Sequence, residues 1–581
     1  MNQNVQALST KRYKIVTEEK AGGATYTPKI LADFVAKQIV AHSENPIRET
    51  SIRVLDPAVG DGELLISLLE QLPRHNRQKI KVFGFETNNK AINLASARLE
   101  ERFPEVELHF QFRNFIEFVL ENFGNGGNGN LFKTKISEPY DLIIANPPYV
   151  RTQIMGAAQA KLLTQQFGLS GRVDLYYAFI LGMAWVLKPH GIAGIIVSNR
   201  FMTTKSGGLV RKALQDLFNI RHVWDLGDTK LFGAAVLPAV LLVEGKNGKK
   251  LPTPGFSSIY QTTEKAQILA SHPIDALSEE GVVELQDGRC FLVKHGLLET
   301  DGAVDGVWRV ATDSANTWLE TVNSHTWGTF GDIGKIRVGV KTCADKVFIR
   351  SDWQSMPKSE CPEVLKPLTT HHNARRFKAQ IPKKDHHILY PHEVSQGQRR
   401  PIDLSKTPRT RAYLERHRQT LEGRSYVIEA GREWYEIWVP QDPEAWNKTK
   451  LVFRDIAEKP TFWIDEGGSV VNGDCYWMVC QKNSNTDLLW LALAIGNSKF
   501  IETFYDYRFQ NKLYAGRRRF ITQYVEKFPL PDPGSPIALT IISKAKEIYN
   551  CTPSSKSEEL QKCLDQLVYQ AFGLVIEKIR R

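Results

Sequence analysis

The sequence predicts an α/β domain built on a mixed, mostly parallel sheet, followed by a second domain of α+β character. Three observations carry this expectation. Over residues 25–245 short β-branched runs alternate with amphipathic stretches of helical length, the pattern of βαβ units. After Gly245 the alternation stops at KNGKKLPTPG, which reads as a linker, and the chain becomes richer in Trp, Tyr and Arg with short irregular runs. Near the end FPLPDPGSP punctuates the chain again, and beyond it Leu560, Leu564, Leu567 and Phe572 fall at helical spacing. The expected organisation is a first domain over 1–250, a second over 251–535 and a terminal helical segment over 536–581.

In chain order, the first domain opens with a helix over Pro28–Ala41 and a strand over Ile52–Leu55. A Gly-containing turn follows, then a helix starting at Glu63, a strand over Lys81–Phe85 and a third strand-like run ending near Asn114. Asn125–Asn130, inside FGNGGNGN, reads as a surface loop. Leu142–Ala145 is the next strand, Leu175–Leu187 a helix, and Ala193–Ser198 and Val236–Val243 complete the sheet.

Composition narrows the class of protein. Of 581 residues, 42% are hydrophobic and 24% charged, which excludes disordered, collagen-like and mucin-like chains. The most apolar stretch, Phe232–Val243, is about half the length needed to cross a bilayer and contains Pro238. The N-terminal residues lack an apolar signal core. Seven scattered Cys without a CxxC pair argue against a disulfide framework or a zinc site, so the cytoplasm is the expected compartment and no metal is expected. The net charge is +11, and residues 371–420 hold 12 Lys and Arg against 4 Asp and Glu, a local excess of +8. Such a patch suits a polyanion or forms an ordinary solvated surface, and charge alone leaves both open.

Two motifs carry chemistry. In VLDPAVGDGELL a strand ends at Leu55, Asp56-Pro57-Ala58 turns, and Gly60 and Gly62 let the backbone approach a ligand at the N-terminus of the helix opened by Glu63. Leu65 stands where a dinucleotide fingerprint has its third Gly. Glu86, at the end of the next strand, is placed to accept both hydroxyls of a ribose, and Asn114 and Phe115 to hold an adenine ring. The second motif is DLIIANPPYV, where a buried strand ends in Asn146-Pro147-Pro148-Tyr149. Two prolines stiffen the chain and leave the Pro147 carbonyl without a strand partner. The Asn146 side-chain oxygen and that carbonyl, under the flat face of Tyr149, suit a planar group bearing an NH2.

These residues resemble the S-adenosylmethionine-dependent methyltransferases that modify exocyclic or amide nitrogens. Their order is similar to the gamma group of N6-adenine DNA methyltransferases of restriction–modification systems. A TPxxL-type opening segment (Thr25–Leu31) precedes the cofactor motif, NPPY and a C-terminal specificity domain. In the C-terminal half GDIGKIRVGVKTCADKVFI (331–349), Trp434-Tyr435-Glu436, LAIGNSKF (493–500) and FPLPDP (528–533) look like that family's target-recognition domain. The resemblance implies a Rossmann-like methyltransferase fold, S-adenosyl-L-methionine as cofactor and an adenine flipped out of double-stranded DNA. It further implies that Thr27 and Pro28 close over the methionine end of the cofactor. Asp56, Ala58 and Gly60 would form its turn, with Pro148 beside it; Glu86 would hold the ribose, and Asn114 and Phe115 the adenine. Asn114 departs from the family's usual Asp. Asn146, Pro147, Pro148 and Tyr149 would act on the target amine, and Phe232 would stack on the base opposite Tyr149, unless it is an ordinary core residue.

Arg375, Arg376, Arg399, Arg400 and Arg517–Arg519 are the candidate DNA contacts, without distinction between base readers and phosphate clamps. The His371-His372 and His386-His387 pairs read as part of the basic surface rather than as metal ligands. The expected partner besides DNA is a cognate restriction endonuclease, working without an obligate complex, and the expected state is a bacterial cytoplasmic monomer. The same core could methylate a protein glutamine or an RNA amine, and a non-catalytic DNA-binding subunit is the remaining alternative.

Overall fold

The structure is a computed structural model that describes residues 26–43, 51–123, 138–149, 174–232, 237–246, 248, 252–266, 268–300, 306–481, 485–510, 512–513, 516 and 517–575. The expected loop at 125–130 lies outside the described residues, as do Thr25, Val150, residues 233–236 and positions 247 and 249–251 of the expected linker. The chain divides into two compact units, one running to Thr312 and including Leu513–Gly516, the other Asp313–Lys512 with Arg517–Arg581.

The first unit follows the expected alternation. Its elements are α1 (Lys29–Ala41), β1 (Ile52–Asp56), α2 (Glu63–Gln71), β2 (Ile80–Glu86), α3 (Asn89–Arg102), β3 (Glu107–Phe112) and α4 (Phe115–Phe123). They continue with β4 (Tyr140–Ala145), α5 (Tyr176–Val186), β5 (Leu187–Ser198), α6 (Gly208–Leu217), β6 (Phe218–Asp225) and β7 (Pro238–Gly245). The strands lie in the order β3-β2-β1-β4-β5-β7-β6. The first five are parallel to their neighbours, and β7 is antiparallel to both β5 and β6. Successive residues of β4 point to opposite faces: Leu142 and Ile144 join the core under α1–α3, while Ile143 and Ala145 join the core under α4–α6. A strand covered on both faces has no use for alternating polarity, which is why DLIIA reads as a nearly continuous apolar run.

The sheet does not end at the expected boundary of 250. β8 (Gly255–Thr262) pairs in parallel with β6. Next come β9 (Ile268–Ala270), β10 (Gly281–Leu285), β11 (Cys290–Glu299) and β12 (Arg309–Ala311), which bring the sheet to twelve strands. The Lys- and Pro-rich stretch after Gly245 is thus a connection that returns the chain to the sheet edge, and the division between units falls after Thr312. Composition marked a connection, but its local sequence does not record that β6 still had an open edge.

The second unit holds a five-stranded sheet ordered Arg337–Val338, Cys475–Met478, Lys450–Arg454, Phe462–Asp465 and Phe377–Lys378. A four-stranded sheet (Ile349–Arg350, His387–Leu389, Leu365–Thr369, Val470–Val471) and a separate hairpin of His392–Ser395 with Gln398–Pro401 complete its main strands. The Trp-rich composition builds its core: Trp446, Trp463 and Trp477 are fully buried, with the rings of Trp446 and Trp477 4.9 Å apart. Helices Pro536–Cys551 and Ser555–Ala571 pack on one another, and the first of them on helix Asp487–Gly496. The terminal segment is therefore part of the second unit. Leu564 and Phe572 are buried there, the latter stacked on Phe500 at 4.2 Å, while Leu560 and Leu567 are half-buried. Among the described residues no helix is long and apolar enough to cross a membrane.

Candidate active site

Because β1, β2, β4 and β5 run parallel, their C-terminal ends share one edge of the sheet. The chain moves outward from β1 through β2 to β3, then returns to place β4 on the other side of β1. A crevice opens where the order reverses, outside the ends of β1 and β4. Both sequence motifs lie there: Asp56 ends β1, and Asn146 follows Ala145 at the end of β4.

The β1 side is a tight turn held by carboxylates. Gly60 and Gly62 have φ of +57° and +82°, which side chains with a Cβ rarely adopt, and Gly62 caps α2 in the left-handed region. Glu86 ties the turn to β2: its Oε2 accepts from Gly60 N at 3.0 Å, and its Oε1 from Thr87 N and Asn88 N, both at 2.8 Å. Arg98 on α3 braces the same turn by donating to the Asp61 carbonyl at 2.7 Å and to Glu63 at 2.5 Å. Asp56 is wholly buried; its Oδ1 accepts from Ala58 N at 2.9 Å, whereas its Oδ2 has no hydrogen-bond partner among the described residues. Burial, with lesser contributions from Glu86 and Asp61, pushes the Asp56 carboxyl up to about 8.

On the β4 side the Asn146 amide is fixed at both ends. Its Nδ2 donates to Thr27 Oγ1 at 3.0 Å, and its Oδ1 accepts from the Tyr149 hydroxyl at 2.8 Å. Burial raises the Tyr149 hydroxyl far above its ordinary value, so it remains a donor. The Tyr149 ring meets Tyr176 edge-on at 6.2 Å, and Pro147 is buried while Pro148 is half-buried. Residues 26–28 bridge the two halves. Tyr26 lies 4.0 Å from where a Cβ on Gly60 would sit, Thr27 holds Asn146, and Pro28 carries the first carbonyl of α1, bonded by Leu31 N and Ala32 N. The sequence marked Thr27 as a cofactor residue. Its bond to Asn146 joins positions 119 apart and has no local signature.

Other expected residues are placed differently from these. Asn114 Oδ1 accepts from Ile116 N at 2.9 Å and so caps α4. Phe115 is 1% exposed, with the rings of Phe85 and Phe179 5.5 and 5.7 Å away. Phe232 is 5% exposed and lies in the core under α1–α3, while Tyr149 packs on the opposite core. In the second unit, Arg375 donates to the Lys378 and Ala379 carbonyls, and Arg376 to the Pro460 carbonyl and Glu502. Arg518 forms a forked pair with Asp506 at 2.7 and 2.8 Å, and Arg519 pairs with Asp455. Arg399 donates to the Gln441 carbonyl, while Arg400 and Arg517 are exposed.

The crevice fits S-adenosylmethionine on the chemistry of its donors and acceptors. An acceptor oxygen buried without a donor, as at Asp56 Oδ2, calls for a cation or an N–H group, and the glycine turn leaves the backbone open to a ligand beside it.

Comparison with known proteins agrees with this geometry. Residues 64–232 match the Eco57I restriction-modification methylase model, and residues 376–530 the TaqI-like C-terminal specificity domain. The type II methyltransferase M.BanIII of Aneurinibacillus aneurinilyticus is 38% identical over 578 residues, covering 97% of this chain and 98% of that protein. The type II methyltransferase M.BstVI of Geobacillus stearothermophilus is 25% identical over 543 residues, covering 88% of this chain and 90% of that protein. Among solved structures, the type IIL restriction-modification enzyme MmeI in complex with DNA has a TM-score of 0.59 at 13% identity, over 94% of this chain and 73% of that one. End-to-end similarity at this level, on a chain whose methylase and specificity regions fall in separate units, makes the protein a member of the type II restriction–modification methyltransferases, S-adenosylmethionine-dependent enzymes that methylate DNA site-specifically.

Proposed function

We propose that the chain is a gamma-group enzyme that methylates the N6 amine of an adenine flipped out of a short double-stranded recognition sequence. The observation that carries this is the Asn146–Tyr149 segment at the end of β4, beside the cofactor turn at the end of β1. Adenine's amine is a weak nucleophile because its lone pair is delocalised into the ring. The Asn146 Oδ1 and the Pro147 carbonyl accept its two N–H hydrogens, which favours a tetrahedral nitrogen with a localised lone pair. Bound S-adenosylmethionine supplies an electrophilic methyl on a sulfonium sulfur. As the amine nitrogen takes the methyl, the C–S bond to the sulfonium would break, leaving the neutral thioether S-adenosylhomocysteine, and the nitrogen would shed one proton along the accepting hydrogen bonds to solvent.

Thr27 orients the Asn146 amide so that oxygen, not nitrogen, faces the amine. The bond from the Tyr149 hydroxyl to that oxygen must be exchanged for the substrate's N–H, which costs little because one donor replaces another. Flipping the base costs a few kcal/mol, and stacking on Tyr149 returns about 1–3 kcal/mol. The residues that would hold the cofactor are Asp56, Ala58, Gly60 and Glu86 with Thr27, Pro28 and Pro148, and on the family resemblance Asn114 and Phe115. The enzyme works as a monomer in the bacterial cytoplasm and protects DNA from a cognate endonuclease that it need not bind. The test is transfer of labelled methyl from S-adenosylmethionine to mixed genomic DNA, followed by nucleoside analysis. Label in N6-methyladenine, lost in Asn146→Ala, is the expected result. Label in N4-methylcytosine overturns the base assignment, and label in RNA or protein alone overturns the proposed substrate.

A further inference from the structure

Within the basic stretch read from the sequence, several residues have internal partners, and an exposed hairpin carries two further arginines. Within 371–420, Arg376 is paired with Glu502, Arg409 with Glu363, Arg416 with Glu360, and Arg418 with Glu415 and Glu422. What remains includes the hairpin of His392–Ser395 and Gln398–Pro401, a two-stranded sheet of its own. Its turn, Gln396-Gly397, has φ of +53° and +72°, as a two-residue hairpin with the native strand twist requires.

The base of this hairpin is rigid. His392 is 4% exposed and its Nε2 accepts from Ile437 N at 3.0 Å. The Tyr435 hydroxyl donates to the Ile402 carbonyl at 2.8 Å, and the Tyr390 hydroxyl to the Pro440 carbonyl at 2.7 Å. Residues directly opposite each other share a face of an antiparallel pair. The pairs His392↔Pro401 and Val394↔Arg399 therefore make one face, and Glu393↔Arg400 and Ser395↔Gln398 the other. The first face is turned to the protein at its base, with His392 buried and Val394 and Pro401 half-buried, while Arg399 is exposed and bonded to the Gln441 carbonyl. The second is polar throughout, and its Glu393, Gln398 and Arg400 are exposed.

We propose that this second face enters the major groove of the target DNA, with Gln398 and Arg400 as base-reading, specificity-determining residues and Arg399 as an anchor of the hairpin. A two-stranded ribbon fits a groove about 12 Å wide. An amide matches the N6–H and N7 of adenine, and a guanidinium fork matches O6 and N7 of guanine. The hairpin itself carries Arg399 and Arg400 against Glu393, a net positive charge that suits the phosphates flanking the groove. A rigid base and an exposed, side-chain-rich tip are what sequence reading needs, since a floppy element loses discrimination to entropy.

The proposal rests on the chain acting as a DNA methyltransferase. Its test is to express the full-length chain, parent or variant, in a bacterial host without endogenous DNA methylation and map every modified base by long-read sequencing. Gln398→Ala and Arg400→Ala are expected to keep methylating but to relax the recognition sequence at one position each, with preference for the parental base falling about tenfold or more. Arg399→Ala keeps the parental sequence at a lower overall level. Gln398→Arg changes no buried group and is expected to shift the preferred base at its position toward guanine. An unchanged sequence in both alanine variants, at full or uniformly reduced methylation, overturns the proposal, because a phosphate clamp or protein-docking surface behaves that way. Failure of Gln398→Arg to alter the preferred base also overturns it. A parent that leaves N4-methylcytosine in the map refutes the adenine assignment while the hairpin variants still report on base reading.

Discussion

As a cofactor residue, Asp56 should make binding of S-adenosylmethionine sensitive to pH. Its carboxyl is wholly buried, accepts a hydrogen bond from Ala58 N, leaves Oδ2 without a partner among the described residues, and is pushed up to about 8 from an ordinary 3.8. If the cofactor's ammonium binds the ionised form, the competent fraction of enzyme is about 1% at pH 6 and about 10% at pH 7. Affinity for S-adenosylmethionine should then tighten about tenfold over that interval, measured by calorimetric titration without DNA. In Asp56→Asn the Oδ1 acceptor for Ala58 N is retained, so the turn persists, but binding should be weaker and flat between pH 6 and 7. The unliganded stability has the opposite trend. A raised carboxyl pKa means that the folded chain holds its proton while the unfolded chain has released it. This contribution is fully present below about pH 4 and is lost as pH rises to about 8, at about 1.4 kcal/mol per pH unit between those limits. Cofactor should therefore raise the melting midpoint more at pH 7 than at pH 6. A parent whose affinity is flat over this interval, or an Asn variant that keeps the tenfold slope, would refute the reasoning.

Other substitutions test the β4 side and the second unit. Asn146→Ala should lower kcat by about 10²–10³-fold or more, with the melting midpoint within a few degrees of the parent, because it removes a preorganised acceptor at a half-buried position; single-turnover methyl transfer and thermal denaturation read the two quantities. Tyr149→Phe keeps the ring and removes only the hydroxyl that occupies Asn146 Oδ1, so its kcat should stay within about threefold of the parent. Tyr149→Ala should instead cost about 1–3 kcal/mol of base stacking, seen as a weaker DNA complex in equilibrium binding. Arg518→Ala removes the forked partner of Asp506 but leaves Lys512 at 3.2 Å, and should destabilise the protein by about 1.5–3 kcal/mol in chemical denaturation.

The parts of this protein that the sequence determined by itself are those whose chemistry sits within a few residues of a strand end. β1 with Asp56, β2 with Glu86 and β4 with Asn146 were readable because a buried parallel strand is an apolar run, and the residue just past it must turn at the ligand-binding edge. Glycines at Gly60 and Gly62 mark the turn for the same local reason. The tertiary structure alone decided matters that depend on distant partners. It carried the sheet through β8–β12 past residue 250, since an open strand edge is a property of the assembled sheet. It bonded Thr27 to Asn146 and put Phe115 and Phe232 among core residues. It also decided which arginines have internal partners: Arg376 meets Glu502 126 residues away and Arg519 meets Asp455 64 residues away, so a sum of nearby charges overstates the basic surface. Periodicity and turn chemistry are local and can be read along the chain. Charge pairing, burial and the pairing of edge strands are set by folding, and they distinguish an arginine that holds the protein together from one free to meet a partner.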